Sequence, residues 1–316
     1  MQKNINIMKK LLLLFIIVPL IIQAQVNPND PGYAEMKANG LIPQPVEENI
    51  VPSVIPEIQE FDAGRSSGFF IPLDGSFTQT MSPNDDGSFG PINLGFTFCF
   101  YGTNYTQIYI NNNGNLSFGS AYSTYSPVGF PSSAYIMIAP FWGDVDTRAQ
   151  GQTGTGLVWH KLEPGRLTVI WDHVGYFSYH VDKLNTFQVI ITDGYDPLIG
   201  IGNNVAFAYE EMTWTTGDAS GGSNGFGGSP ATVGVNKGNG IDYALVGRFD
   251  KPGTCYDGPF GENDCVSYLN SKRYVFDACE DQIIIVPPDV PISNWALYIG
   301  LVLMITFIVI RFRRVF

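Results

Sequence analysis

The chain has 316 residues, 17 of them Lys or Arg and 29 Asp or Glu, for a formal net charge of −12, with 45% hydrophobic and 14% aromatic residues. So acidic a surface repels nucleic acid and anionic lipid, and no nucleic-acid partner is expected. It suits cations or basic partners, although solvated carboxylates are its commonest meaning.

Lys3, Lys9 and Lys10 precede an apolar run from Leu11 to Ile22, and Gln23-Ala24-Gln25 follows. This is the plan of a secretory signal peptide over residues 1–24, cleaved after Ala24. Residues 25–60 hold six prolines, few aromatics and no sustained periodicity, and predict an extended leader. Without the signal's three lysines and the three arginines near the C-terminus, the remainder carries a net charge of −18.

From Phe61 the texture becomes aromatic and Gly-rich, with period-two runs. GFTFCFYG puts Phe96, Phe98 and Phe100 on one face, and GRLTVIWDHV separates Leu167, Val169 and Trp171 from Thr168, Ile170 and Asp172. NTFQVIITDG aligns Phe187, Val189 and Ile191, and NVAFAYE aligns Val205, Phe207 and Tyr209. These patterns predict half-buried strands. Asn112-Asn113-Gly114 and Pro164-Gly165 read as hairpin turns. No amphipathic helix is evident between Phe61 and Val275. The expected fold is mainly β, an antiparallel β-sandwich or barrel-like domain over residues 61–280 with long Gly-rich loops.

Cys99, Cys255, Cys265 and Cys279 are an even set, which in an exported chain predicts disulfides with three pairings open. The short Gly/Asp-rich loop between Cys255 and Cys265 favours that pair, with Cys99 to Cys279 as the second. No zinc-type spacing is present, and no cofactor is expected.

Three stretches invite chemistry. In TTGDASGGSNGFGGSPATVG, residues 215–234, Ser220 sits in a protease-like GDASGG, but Ala219 separates it from Asp218 and no Gly-x-Ser-x-Gly elbow exists. Gly225-x-Gly227 has no helix after it to make a phosphate cradle. In APFWGDVDTR, Asp144 and Asp146 share one strand face. The plain reading is a solvated strand end with Arg148 on one aspartate. A Ca²⁺ site with Asp218 as a further ligand, or a glycoside-hydrolysing pair, are the alternatives. Among the tryptophans, alternation assigns Trp159 and Trp171 to the core. Trp142 and Trp214, beside Gly/Asp loops, are the candidate surface contacts.

The stretches LGFTFCFYGTNYTQIYINNNGNLSFG, IMIAPFWGDVDTR, DKLNTFQVIITDG and MTWTTGDASGGSNGFGGSPATVGVNKGNG occur in that order. Together, over a core of residues 91–247, they resemble the nidogen-type extracellular (NIDO) domain family. The resemblance implies extracellular matrix association and cell–matrix adhesion, and brings no catalytic residue to carry across. It also makes the Gly-rich segment an architectural loop, in which Asp218 and Asn224 close turns.

A linker over residues 281–294 leads to an uncharged apolar run at 295–310 and then to Arg311, Arg313 and Arg314 within the tail 311–316. A transmembrane helix with a basic cytoplasmic tail is expected. VPISNW, the apolar run and RFRR also resemble bacterial sorting signals of the PEP-CTERM and IPTL-CTERM type, which implies an exosortase-like processing protease. The expected protein is therefore exported with its N-terminus outside, either anchored or released. It is a non-enzymatic adhesion protein that contacts extracellular matrix, polysaccharide or a cell-surface protein. The alternatives are a carbohydrate-active hydrolase using Asp144 and Asp146, and a Ca²⁺-stabilised coat component.

Overall fold

Alternating residues sort into two sheets in the computed structural model, which describes residues 26–46, 59–62, 70–149, 156–258 and 264–279. The first sheet runs β1 (Gln59–Asp62), β15 (Lys272–Phe276), β11 (Val205–Tyr209), β10 (His180–Thr192), β9 (Arg166–Tyr176), β8 (Val158–Glu163) and β2 (Thr78–Gln79). Strand β7 (Val145–Asp146) pairs with the far end of β9. The second sheet runs β14 (Asp264–Cys265), β13 (Tyr243–Lys251), β12 (Ala231–Asn236), β6 (Met137–Trp142), β5 (Asn115–Ser117), β4 (Thr103–Asn111) and β3 (Ser88–Phe100). Among the described residues, only β13 with β14 pairs in parallel; the remaining strand pairs are antiparallel. Both expected hairpins form, with Asn111 opposite Asn115 and Glu163 opposite Arg166.

Leu167, Val169, Trp171, Phe187, Val189, Ile191, Val205 and Phe207 of the first sheet share one core with Phe98, Phe100, Ile108, Ile138 and Val233 of the second. The layers therefore pack face to face as a sandwich. Each such side chain stabilises the fold by about 1.5–3 kcal/mol relative to exposure.

The strands are less one-sided than their alternation predicts. Thr168 and Ile170 are buried as well. Ile190, Ile199, Ala206, Ala208 and Val275 form a second small core, with Phe70, Ile71 and Leu198 packed against it. Residues 70–71 and 198–199 cover the outer face of the first sheet, so alternation there separates two cores rather than core from water. A third cluster, including Phe130, Tyr135 and Trp142, covers the outer face of the second sheet.

Cys99 pairs with Cys279 and Cys255 with Cys265, at Cα separations of 4.8 and 4.9 Å. The first bridge joins β3, at the edge of the second sheet, to the residues just beyond β15 in the first. Backbone bonds from Tyr101 N–H to the Ala278 carbonyl and from Gly102 N–H to the Cys279 carbonyl run beside it.

The leader departs from expectation. Within residues 26–46 lies α1 (Tyr33–Ala38), entered through Gly32 at φ 87°. Six residues are too few for a self-stable helix, so docking must hold it. Tyr33 and Lys37 supply that docking, both buried. The expected signal peptide (1–24), linker (281–294), transmembrane helix (295–310) and basic tail (311–316) lie outside the described residues. Among the described residues, no helix is long and apolar enough to cross a membrane.

Candidate functional site

The feature that sequence alone does not reveal is where Lys37 goes. Its ammonium is fully buried and donates to Asp144 Oδ1 at 2.6 Å, Asp86 Oδ2 at 2.8 Å and Asp85 Oδ1 at 2.9 Å. It also lies 4.2 Å from the ring centre of Tyr125 and 4.4 Å from that of Phe177. Carboxylates supply opposite charge and the aromatic faces supply quadrupole attraction, so the cavity is an acidic, aromatic cage for one cation.

Each wall has its own support. Asp85 and Asp86 lie in the turn before β3, and Asp144 sits between β6 and β7. Tyr33 hydroxyl donates to Asp86 Oδ2 at 2.8 Å, and Asn113 Nδ2 donates to Asp86 Oδ1 at 2.7 Å. Asn113 Oδ1 also accepts from Val145 N–H, and Asn112 Nδ2 donates to the Asp85 and Val145 carbonyls. The Asn112-Asn113-Gly114 hairpin is thus a brace for the cage as well as a turn. Gly217 closes the remaining side, because a Cβ there would collide with the Asp144 carboxyl.

Burial pushes the Asp144 carboxyl up to about 7 and Asp85 well above the usual carboxylate range; Lys37 opposes both shifts and neighbouring aspartates add to them. For Lys37 burial disfavours the charge, but the surrounding carboxylates, Asp144 foremost, outweigh it and hold the ammonium above its ordinary range. Three carboxyls face the one ammonium, and Arg148 is a second cation at the rim, on Asp85. Asp85 Oδ2 accepts no hydrogen bond and has the Arg148 guanidinium 3.4 Å away.

The expected acidic pair is divided. Asp146 receives Arg148 through Nε at 2.9 Å and Nη2 at 2.6 Å, and also the Tyr179 N–H at 2.9 Å. Arg148 does pair with one aspartate, but Asp144 and Asp146 are fully buried, not a solvated strand end. Each is engaged by its own cation, so neither is presented as a hydrolytic acid or base. Among the described residues, the carboxylates close enough to share a metal ion are Asp85, Asp86 and Asp144, with ligand atoms within 4.8 Å of one another. Asp218 is not part of that group. It is exposed and meets His180 Nε2 at 2.8 Å.

Both proposed surface tryptophans are buried. Trp142 packs with Phe130 and Tyr135 and donates to the Thr124 carbonyl at 3.0 Å. Trp214 lies against Phe141 and Tyr176 and donates to the Val174 carbonyl at 3.0 Å. The segment carrying Thr124, Phe130 and Tyr135 covers Trp142, while Gly143 and Gly225 of the flanking loops lie against Trp214. Trp171 is in the core as expected, whereas Trp159, near the sheet edge, is only half-buried.

Ser220 closes a short 3-10 turn, Asp218–Ser220. Its hydroxyl donates to the Tyr125 carbonyl at 3.1 Å and accepts from Ser126 Oγ at 3.0 Å, a structural bridge between two loops. Gly221, Gly225, Gly227 and Gly228 all adopt positive φ, in keeping with an architectural loop. Asp218 and Asn224 reach outward to His180 and Lys183 rather than closing their own turns.

A disulfide-closed, two-sheet sandwich whose polar interior is locked by ion pairs is the class of protein that this fold and site define. A family model described as NIDO related matches residues 60–257, and the chain belongs to that family. Alpha-tectorin of Gallus gallus is 34% identical over 186 residues, covering 51% of this chain and 8% of the tectorin. Human alpha-tectorin is 32% identical over 206 residues, 55% of this chain and 9% of its own length. Nidogen of Drosophila melanogaster is 28% identical over 186 residues, 51% of this chain and 13% of the nidogen. The chain thus spans less than a sixth of the length of these relatives. No solved structure gives a significant match.

Proposed function

We propose that this is an exported, non-enzymatic surface protein whose NIDO-related domain makes adhesive contacts with extracellular matrix, polysaccharide or another cell's surface protein. The observation that carries the reading is the family match over residues 60–257, together with the similarity of that region to tectorin and nidogen. Two disulfides suit an oxidising compartment outside the cytoplasm. The signal-like segment 1–24 directs export. The apolar run 295–310 with its arginines anchors the chain, or serves as a sorting signal that an exosortase-like protease removes. The domain then faces outward on an acidic, soluble surface. A binding screen of the mature protein against immobilised glycans and matrix proteins tests the reading; saturable binding to at least one surface is expected. Turnover of a glycan substrate that disappears in Asp144→Asn would overturn it. Mass spectrometry of the C-terminus in the native host separates the anchored form from the processed one.

A further inference from the structure

We propose that Asp85, Asp86, Asp144, Tyr125 and Phe177 form a binding site for a primary ammonium, a lysine receptor built into the NIDO-related domain, and that residues 26–46 are a tethered ligand occupying it. All five cage residues fall within the family-matched region 60–257, whereas Lys37 comes from upstream of it. Receptor and occupant therefore belong to different parts of the chain.

The geometry is that of a ligand site. Three carboxylates converge on a single nitrogen at 2.6–2.9 Å, with two ring faces completing the enclosure. A compact ammonium with three donors fits this convergence, while a planar guanidinium spreads its donors over a fork. Calcium takes six to eight oxygen ligands, and aromatic faces supply none on those sides. Asp85 Oδ2, which accepts no hydrogen bond among the described residues, is turned to the Arg148 guanidinium 3.4 Å away, so Lys37 uses only Oδ1 of that carboxyl.

The occupant is held the way a peptide ligand is held. Tyr33 and Lys37 lie four residues apart on one face of α1 and are its buried residues. Farther along, Leu41 and Val46 are 67% and 86% exposed, so the segment has little apolar anchorage there. A cleft of about 300 Å³ borders Val26–Asn29 and Asp86–Ser88, and brings solvent-accessible space to the edge of the cage. The ligand class read by the site is thus a lysine side chain, preferably with a tyrosine one helical turn before it.

Chemical rescue tests this in the full chain. Lys37→Ala removes the three methylenes and ammonium that n-propylammonium restores. Thermal melts of Lys37→Ala with n-propylammonium chloride should show a saturable rise in Tm of several degrees over an equal concentration of NaCl. Wild type, whose cage is filled, and Lys37→Met, whose side chain blocks the channel, should show none. If Lys37→Ala is unfolded without ligand, the same titration is read as recovery of near-UV circular dichroism. Absence of an ammonium-specific effect overturns the proposal. Rescue by CaCl₂ but not by n-propylammonium also overturns it, and makes the three aspartates a metal site. Neither result bears on whether the domain adheres to matrix, so the two readings fail separately.

Discussion

The inter-sheet core and the Lys37 cage are both sealed from water, but opposite means hold them together. In the core, Trp171 stacks on Phe187 with ring centres 5.0 Å apart, amid aliphatic neighbours that any side chain of similar shape could replace. In the cage, removing one partner leaves the others dry, either as unpaired charge or neutralised by proton uptake, and both are costly. Apolar burial is tolerant because it is non-directional, whereas a buried ion cluster is stable only when complete. The two regions meet at Asn112: its carbonyl accepts from Trp171 Nε1 at 2.9 Å while its side chain donates to the Asp85 carbonyl.

The largest break in this contrast is expected at the junction. Trp171→Ala should cost about 3–5 kcal/mol in urea denaturation, from the cavity and the lost bond to Asn112. Lys37→Met is next, at about 3 kcal/mol, because three carboxylates lose their cation. Adding Asp85→Asn and Asp144→Asn should recover much of that loss. If the triple variant is instead weaker than Lys37→Met, unpaired charge is not the cause.

Titration sharpens the comparison further. Because burial raises the folded-state value of Asp144 to about 7, its neutral form favours folding. That contribution is complete below the unfolded value near 4 and is lost as pH rises through 7. Asp144→Asn should therefore flatten the fall in stability between pH 4 and 7, by about 1.4 kcal/mol for each pH unit in that range, while Trp171→Ala keeps the wild-type slope. Asp264 is raised to about 7 mainly by burial, and its Oδ2 accepts no hydrogen bond. Asp264→Asn should gain about 1 kcal/mol above pH 7 and nothing below pH 4. The smallest effect belongs to the half-buried Arg166, which bridges Glu163 and Asp196: Arg166→Gln should change stability by about 0–1 kcal/mol.

Much of the sandwich is legible in the chain, since Phe187, Val189 and Ile191 repeat at the spacing of a strand face. The disulfide pairing follows from the short loop between Cys255 and Cys265. The cage is not legible. Lys37 stands in a Pro-rich stretch with no periodicity, and Asp85-Asp86 looks like any polar turn, so nothing local ties positions 37, 85–86 and 144 together. Trp142 and Trp214 mislead for a related reason: flanking Gly and Asp suggest exposure, yet Phe130 and Tyr135 cover the first ring and Gly143 and Gly225 lie against the second residue.

By itself the sequence determined where strands begin and turn, and which face is apolar, because backbone sterics and hydrophobic periodicity act over a few residues. Only the tertiary structure decided which acids meet which cation. Such a pairing depends on bringing distant segments within 3 Å in a dry interior, and a charge carries no local mark of its eventual partner.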